Sequence, residues 1–200
     1  IESPERCEYA CIDLLKKNEV VGNTRINANK LASLVYDIAP ETIDNIVSVV
    51  SNSKRIHYDA SSKQISLKLT YQAEQLITDN IQYRLKNPTI MSMKWQDYIE
   101  VDGLKLTEEQ QAILQVAQDN NVMILTGSAG SGKTNTMKAL IYMLEDNEYS
   151  YTMLCPTGTA AQVLSRATGR HASTIHMFLV SNIECGDFLI LEESSMIGIE

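Results

Sequence analysis

Twelve residues, Met-Ile-Leu-Thr-Gly-Ser-Ala-Gly-Ser-Gly-Lys-Thr at 123–134, leave this chain little choice of architecture. An apolar run stops at Thr126. A glycine-rich loop follows, and an amphipathic run begins at about Lys133. Gly127–Thr134 fits G-x-x-x-x-G-K-[ST], a pattern that needs a strand before it and a helix after it. The spacing therefore predicts a buried strand over Val122–Thr126 and a helix from about Lys133. Glycines let the backbone approach an anion and turn its N–H groups inward. The helix start adds free N–H groups and a positive dipole end. Gly127, Gly130, Ser131, Gly132 and Asn135 are thus expected to cradle the phosphates of a nucleotide. Lys133 can reach the β- and γ-phosphates, and the Thr134 hydroxyl can ligate Mg²⁺.

Two hundred residues allow one or two domains with a real core. No apolar run reaches a membrane span and no signal peptide opens the chain, so a cytoplasmic place without membrane contact is expected. Cys7, Cys11, Cys155 and Cys185 show no close-paired zinc spacing and read as thiols in a reducing compartment. A net charge of −8 argues against coating nucleic acid by charge alone. It leaves room for a local basic or backbone-donor groove.

The two halves read differently. Pro4–Lys17 is helical, with Cys7, Ala10, Cys11, Leu14 and Leu15 on one stripe. Asn23–Asn27 fits a short strand and Asn29–Ile38 a second helix. Pro40-Glu41-Thr42 opens a third, with Ile43, Ile46, Val47 and Val50 facing inward. Arg55–Asp59 and Gln64–Lys68 alternate as a hairpin, and Tyr71–Leu85 is helical again. This order resembles a winged helix over residues 1–87, in which the third helix and the wing can meet DNA. Thr42–Ser51, however, holds Asp44 and no Lys or Arg, while Lys54, Arg55 and Lys63 flank the hairpin. A packing or protein-docking role for this half stands beside DNA contact. His57 is expected on the surface. Residues 88–104 form a connector anchored by Trp95.

In residues 105–200, Thr107 is a helix N-cap with Gln110 one turn in, and a glutamine amide matches the donor and acceptor edge of adenine. Tyr151–Cys155 is a second strand. It runs into Pro156–Ala161 and a helix to about Ala167. Thr157 there is either an ordinary cap or part of a second anion site. Asp187–Leu191 is a third strand ending in Glu192-Glu193. Two carboxylates at a buried strand end suit Mg²⁺ and an attacking water.

"LTEEQQAIL", "GSAGSGKTNT", "CPTGTAAQVLSRATGRHASTIHMFL" and "FLILEESSMI" occur in order. Together they resemble the first motor domain of RecD-like superfamily 1 DNA helicases (exodeoxyribonuclease V alpha-subunit-like), up to the Walker B motif. "GNTRINANKLA" and "ISLKLTYQAEQLI" also look like the segment before that motor. The fold class implied is α/β: a P-loop NTPase (RecA-like) parallel sheet, incomplete at its C-terminus, preceded by a small α+β winged-helix-like domain. The resemblance implies ATP and Mg²⁺ as cofactors and 5′→3′ movement on single-stranded DNA. Other helicase or nuclease subunits are implied as partners. Gln110 would read adenine, and Thr134 with Glu192 would hold the metal. Lys133, Glu192 and Glu193 would be catalytic, with Glu193 on the attacking water. Thr157, Gly158, Thr174 and His176 would touch DNA. Glu192 stands where the family has Asp, and Thr159 where a basic residue is common. The chain stops soon after Met196, without the second RecA-like domain, so a fragment of a larger helicase is expected. The competing readings are a winged-helix regulator with a nucleotide-sensing domain and a small-molecule kinase.

Overall fold

Proline at the first turn of a helix loses no hydrogen bond, and Pro4 opens α1 (Pro4–Val20) in that way. The computed structural model describes residues 3–88, 92–128 and 130–198, which divide into a unit ending at Asn80 and a unit over Ile81–Gly198. In the first unit α1 is followed by β1 (Ile26–Asn27), α2 (Ala28–Ile38), a 3₁₀ turn over Pro40–Asn45, α3 (Ile46–Asn52), β2 (Ile56–Asp59) and β3 (Gln64–Leu67). The strands form an antiparallel sheet in the order β1-β3-β2, with Tyr58 opposite Ile65. Cys7, Cys11, Leu15, Leu31, Val35 and Ile65 form its core. Burial, followed by the neighbouring Cys7, pushes the Cys11 thiol up to about 12. It is therefore a core group rather than a nucleophile.

One expectation fails in this unit. Val47 does not face inward; it is 75% exposed, and Val49 is buried instead. The cause is the 3₁₀ winding of Pro40–Asn45, which turns at 3.0 residues rather than 3.6 and shifts the phase of the helix that follows. His57, expected on the surface, is half-buried. It stacks on Tyr71 with ring centroids 3.6 Å apart.

α4 (Lys68–Lys86) leaves β3 directly. The second unit then holds a 3₁₀ turn at Trp95–Tyr98, the hairpin β4 (Glu100–Val101) and β5 (Leu104–Lys105), α5 (Glu108–Asp119), α6 (Lys133–Asp146), β6 (Tyr151–Cys155), α7 (Gly158–Thr168), β7 (Ser173–Thr174), α8 (Ile175–Val180) and β8 (Phe188–Leu191). Trp95 packs against the core of this unit, as an anchor should. The helix α6 is buried nearly all round through Thr136, Met137, Ala139, Leu140, Ile141, Met143 and Leu144. Beside it lies a parallel sheet in the order β7-β6-β8. Gly186 is forced at the entry to β8, because a Cβ there would lie 2.7 Å from the Tyr151 backbone.

The strand expected over Val122–Thr126 is absent: no ladder forms there, and Ile124 is 83% exposed. A strand exists only through its partner's hydrogen bonds. Residues 122–126 pair with neither outer strand of the sheet, β7 or β8. Met123 instead contributes its side chain to the core beneath α6. Among the described residues no helix is long and apolar enough to cross a membrane.

Candidate functional site

The loop Gly127–Thr134 is built around two residues that lie far apart in sequence. Gly130 and Gly132 take φ of +80° and +81°, a region costly for any side chain. A Cβ on Gly132 would fall inside contact distance of Gln110 Nε2. A Cβ on Gly127 would lie 2.6 Å from Ser131 Oγ. A side chain at Gly127 or Gly132 would therefore displace the Ser131 or Gln110 side chain. Ala129 lies outside the described residues.

Gln110 tethers the loop. Its N–H donates to Thr107 Oγ1 at 3.3 Å, and its Oε1 accepts from the Thr107 N–H at 3.0 Å, a complete capping box at the start of α5. The Gln110 Nε2 donates to Ser131 O at 3.1 Å. The amide expected to face adenine is thus committed at both ends, one to its own helix and one to the phosphate loop. Nothing in local sequence signals that tether, because it joins positions 21 apart.

Lys133 Nζ donates to Gly127 O at 2.6 Å and Ser128 O at 2.9 Å. The ammonium closes the loop over its own carbonyls rather than projecting from it. Thr134 is exposed, Asn135 is half-buried, and the Thr136 hydroxyl donates back to Gly132 O at 3.3 Å. The donor set is the Lys133 ammonium, glycine N–H groups and the start of a 14-residue helix. That chemistry, with the space a Cβ would fill, fits a nucleotide's phosphates. An anion entering it has a cation already at hand.

The other expected residues gather at the C-terminal ends of the parallel strands. Leu154 and Cys155 of β6 lie opposite Ser173 and Thr174 of β7. Beyond them Thr157 Oγ1 accepts from Ala160 N at 3.2 Å and Thr174 Oγ1 from Met177 N at 3.1 Å. Both threonines are helix caps, each taking one backbone N–H from the first turn of α7 or α8. A groove of about 440 Å³ lies between them, lined by Gly158, Gln162, Ser165, Arg166, His171 and Thr174 among others. His176 is exposed on the first turn of α8, outside that groove. Arg166 and His171 were missed from sequence. The signal was there for Arg166, since Gly158, Gln162, Ser165 and Arg166 recur at helical spacing on one face.

Glu192 extends the sheet: its N–H donates to Leu154 O at 3.0 Å. Glu193 follows with φ 54° and ψ 38°, left-handed backbone for a residue with a side chain. Strain of this kind clusters at working sites. Burial first, then the negative charges of Glu192 and Glu193, raises the Cys155 thiol above its ordinary value. Both carboxylates therefore stand close to the end of β6. Among the described residues no hydrogen bond or ion pair joins them to the phosphate loop. Nor does any group of three or more His, Cys, Asp and Glu there suit a metal.

Residues 105–200 match the family model described as an AAA domain. An ATP-dependent RecD2 DNA helicase of Deinococcus radiodurans is 36% identical over 103 residues, 46% of this chain and 14% of that protein. The RecBCD enzyme subunit RecD of Mycolicibacterium smegmatis is 27% identical over 128 residues, 46% of this chain and 23% of that protein. An uncharacterized protein of Methanocaldococcus jannaschii is 25% identical across 99% of this chain and 22% of its own length. The chain thus spans less than a quarter of each of these relatives.

Proposed function

From residues 105–200, an AAA domain similar in sequence and motif order to that of RecD-like superfamily 1 helicases, we propose an ATP-driven motor on DNA. It moves 5′→3′ on single strands as one part of a longer helicase. Residues 1–87 are its winged-helix-like domain, 88–104 a connector and 105–200 the first RecA-like domain. The order of helices and the β1-β3-β2 sheet support the first of these. Other helicase or nuclease subunits are its partners in this reading.

The observation that carries it is the shared strand edge. Two capped helix starts, Thr157-Gly158 and Thr174-Ile175, and the pair Glu192-Glu193 all follow the C-terminal ends of three parallel strands. In open parallel sheets that is where ligands bind. Bound Mg-ATP would supply a γ-phosphoryl group for transfer to water, with ADP as the leaving group. Lys133 and the N–H groups of Gly130 and Gly132 hold negative charge there, and Thr134 and Glu192 offer oxygens to the metal. Glu193 accepts a proton from the attacking water. Thr157, Gly158, Thr174 and His176 bind the DNA backbone on the other side.

The test is ATP hydrolysis with and without single-stranded DNA in the longer protein that contains these residues. DNA should stimulate turnover, Lys133→Ala should abolish ATP affinity, and Glu193→Gln should keep affinity while lowering turnover about a hundred-fold. Tight ATP binding with no DNA-stimulated turnover would favour the nucleotide-sensing regulator instead.

A further inference from the structure

Four cations from distant parts of the chain meet in the first unit. Lys16 of α1, Lys54 and Arg55 of the connector between α3 and β2, and Lys68 at the start of α4 line a groove of about 780 Å³. Lys68 N–H donates to Arg55 O at 2.8 Å, one step beyond the β2–β3 ladder, and this brings the two residues side by side. Leu67 and Leu69 form an apolar wall, with Leu69 81% exposed.

None of these four side chains makes an ion pair among the described residues, whereas Arg6, Lys17, Arg25, Lys138 and Arg170 all do. None of the nearby acids pairs with these four cations: Glu8 takes the Ser53 hydroxyl, Glu19 takes the Thr70 hydroxyl at the groove's wall, and Glu74 is held by Thr24 and Arg25. On a chain of net charge −8, four cations that outnumber the charges of Glu8 and Glu19 beside them make this groove locally positive. Beside it, the Arg55 guanidinium lies 5.8 Å from the ring centroid of Tyr9, which is 64% exposed.

We propose that this groove binds the phosphate backbone of single-stranded DNA, with Tyr9 at its rim as a stacking face. Cations along a groove next to an exposed aromatic are what strand binding without sequence preference requires. A duplex reader would place its cations on the helix that enters the major groove. Here α3 carries no Lys or Arg, and the turn before it carries Glu41 and Asp44. The choice of DNA as the polyanion rests on the motor reading above; the cationic site itself does not.

The experiment measures binding of a labelled oligothymidylate, about 20 nucleotides long, to residues 1–200 by fluorescence anisotropy over a range of salt. Lys54, Lys68 and Lys16 are all exposed, so Lys54→Gln/Lys68→Gln and Lys16→Gln should leave the thermal melt unchanged. The double variant should bind about tenfold or more weakly, and the slope of log K against log salt should fall by about 1.4. Unchanged affinity and slope in both variants would overturn the proposal. So would binding of a duplex of equal length at least as tightly as the strand. DNA-stimulated ATP hydrolysis by the longer protein reports on the motor separately. Stimulation with groove variants at full strand affinity sinks the groove alone. Lost strand affinity in the variants, with no stimulation in any protein, sinks the motor and leaves the groove.

Discussion

Gly132 and Glu193 both take left-handed backbone at the site, one at a residue that adopts it freely and one at a residue that does not. At Gly132, φ of +81° and the closeness of Gln110 Nε2 exclude a side chain. Gly132→Ala should cost about 1–2 kcal/mol in urea unfolding, the usual penalty of left-handed backbone. It should also free Gln110 from Ser131 O, and nucleotide affinity by calorimetry should fall with it. Glu193 has the reverse logic. Its left-handed backbone is strained, and glycine would relieve it. Glu193→Gly should therefore stabilise the second unit by about 0.5–1 kcal/mol after the entropy of the unfolded glycine is subtracted, while ATP turnover is lost. A Glu193→Gly protein no more stable than the parent would mean that the backbone there carries no strain.

At the scale of elements, the far ends of α6, α7 and β6 are tied by one ionic cluster. Arg170 Nε and Nη2 donate to the two oxygens of Glu145 at 2.6 and 2.8 Å, and Tyr151 OH donates to Glu145 at 2.5 Å. The Arg170 hydrogen bonds, and then that of Tyr151, hold the Glu145 carboxyl below its ordinary value. Its contribution to stability is thus complete above the unfolded carboxyl range and is lost as acid titrates the folded group. Burial, then Glu145, pushes Tyr151 up to about 12. Its contribution is complete below the ordinary tyrosine value and fades as pH rises towards 12. The urea midpoint against pH should show both limbs. Glu145→Gln should shrink the acid limb, and Asp59, Asp102 and Asp187, whose carboxyls also sit low, should supply what remains. An acid limb unchanged in Glu145→Gln would show that the bridge carries no net stability.

At the scale of the whole molecule, each unit has its own buried core, one around Leu15, Leu31 and Val35 and one around Leu114, Ile141 and Leu144. A ligand that binds only one folded unit stabilises only that unit, by about 2.7 kcal/mol at a hundred times its Kd. A non-hydrolysable Mg-ATP analogue should therefore slow amide hydrogen exchange in α6 and β6 and leave α1, α2 and β3 unchanged. Equal protection of both units would show that nucleotide acts on a single cooperative body.

What this sequence determined by itself was local. The amphipathic stripe of α1, the caps Thr107 and Thr157, the β2–β3 hairpin and the loop between Gly127 and Thr134 were all legible, because each is written within about ten residues by periodicity, caps and turns. Tertiary structure decided which distant groups meet. It joined Gln110 to Ser131, turned Lys133 onto Gly127 and Ser128, and left Val122–Thr126 without a strand partner. It also assembled the cationic groove, since Lys16 reaches Lys54, Arg55 and Lys68 only once α1 packs against the sheet. The physical reason is one of range. Hydrogen-bond periodicity acts over a turn or two of chain, whereas strand partners and meetings of charge are set by burying apolar faces that no local window contains.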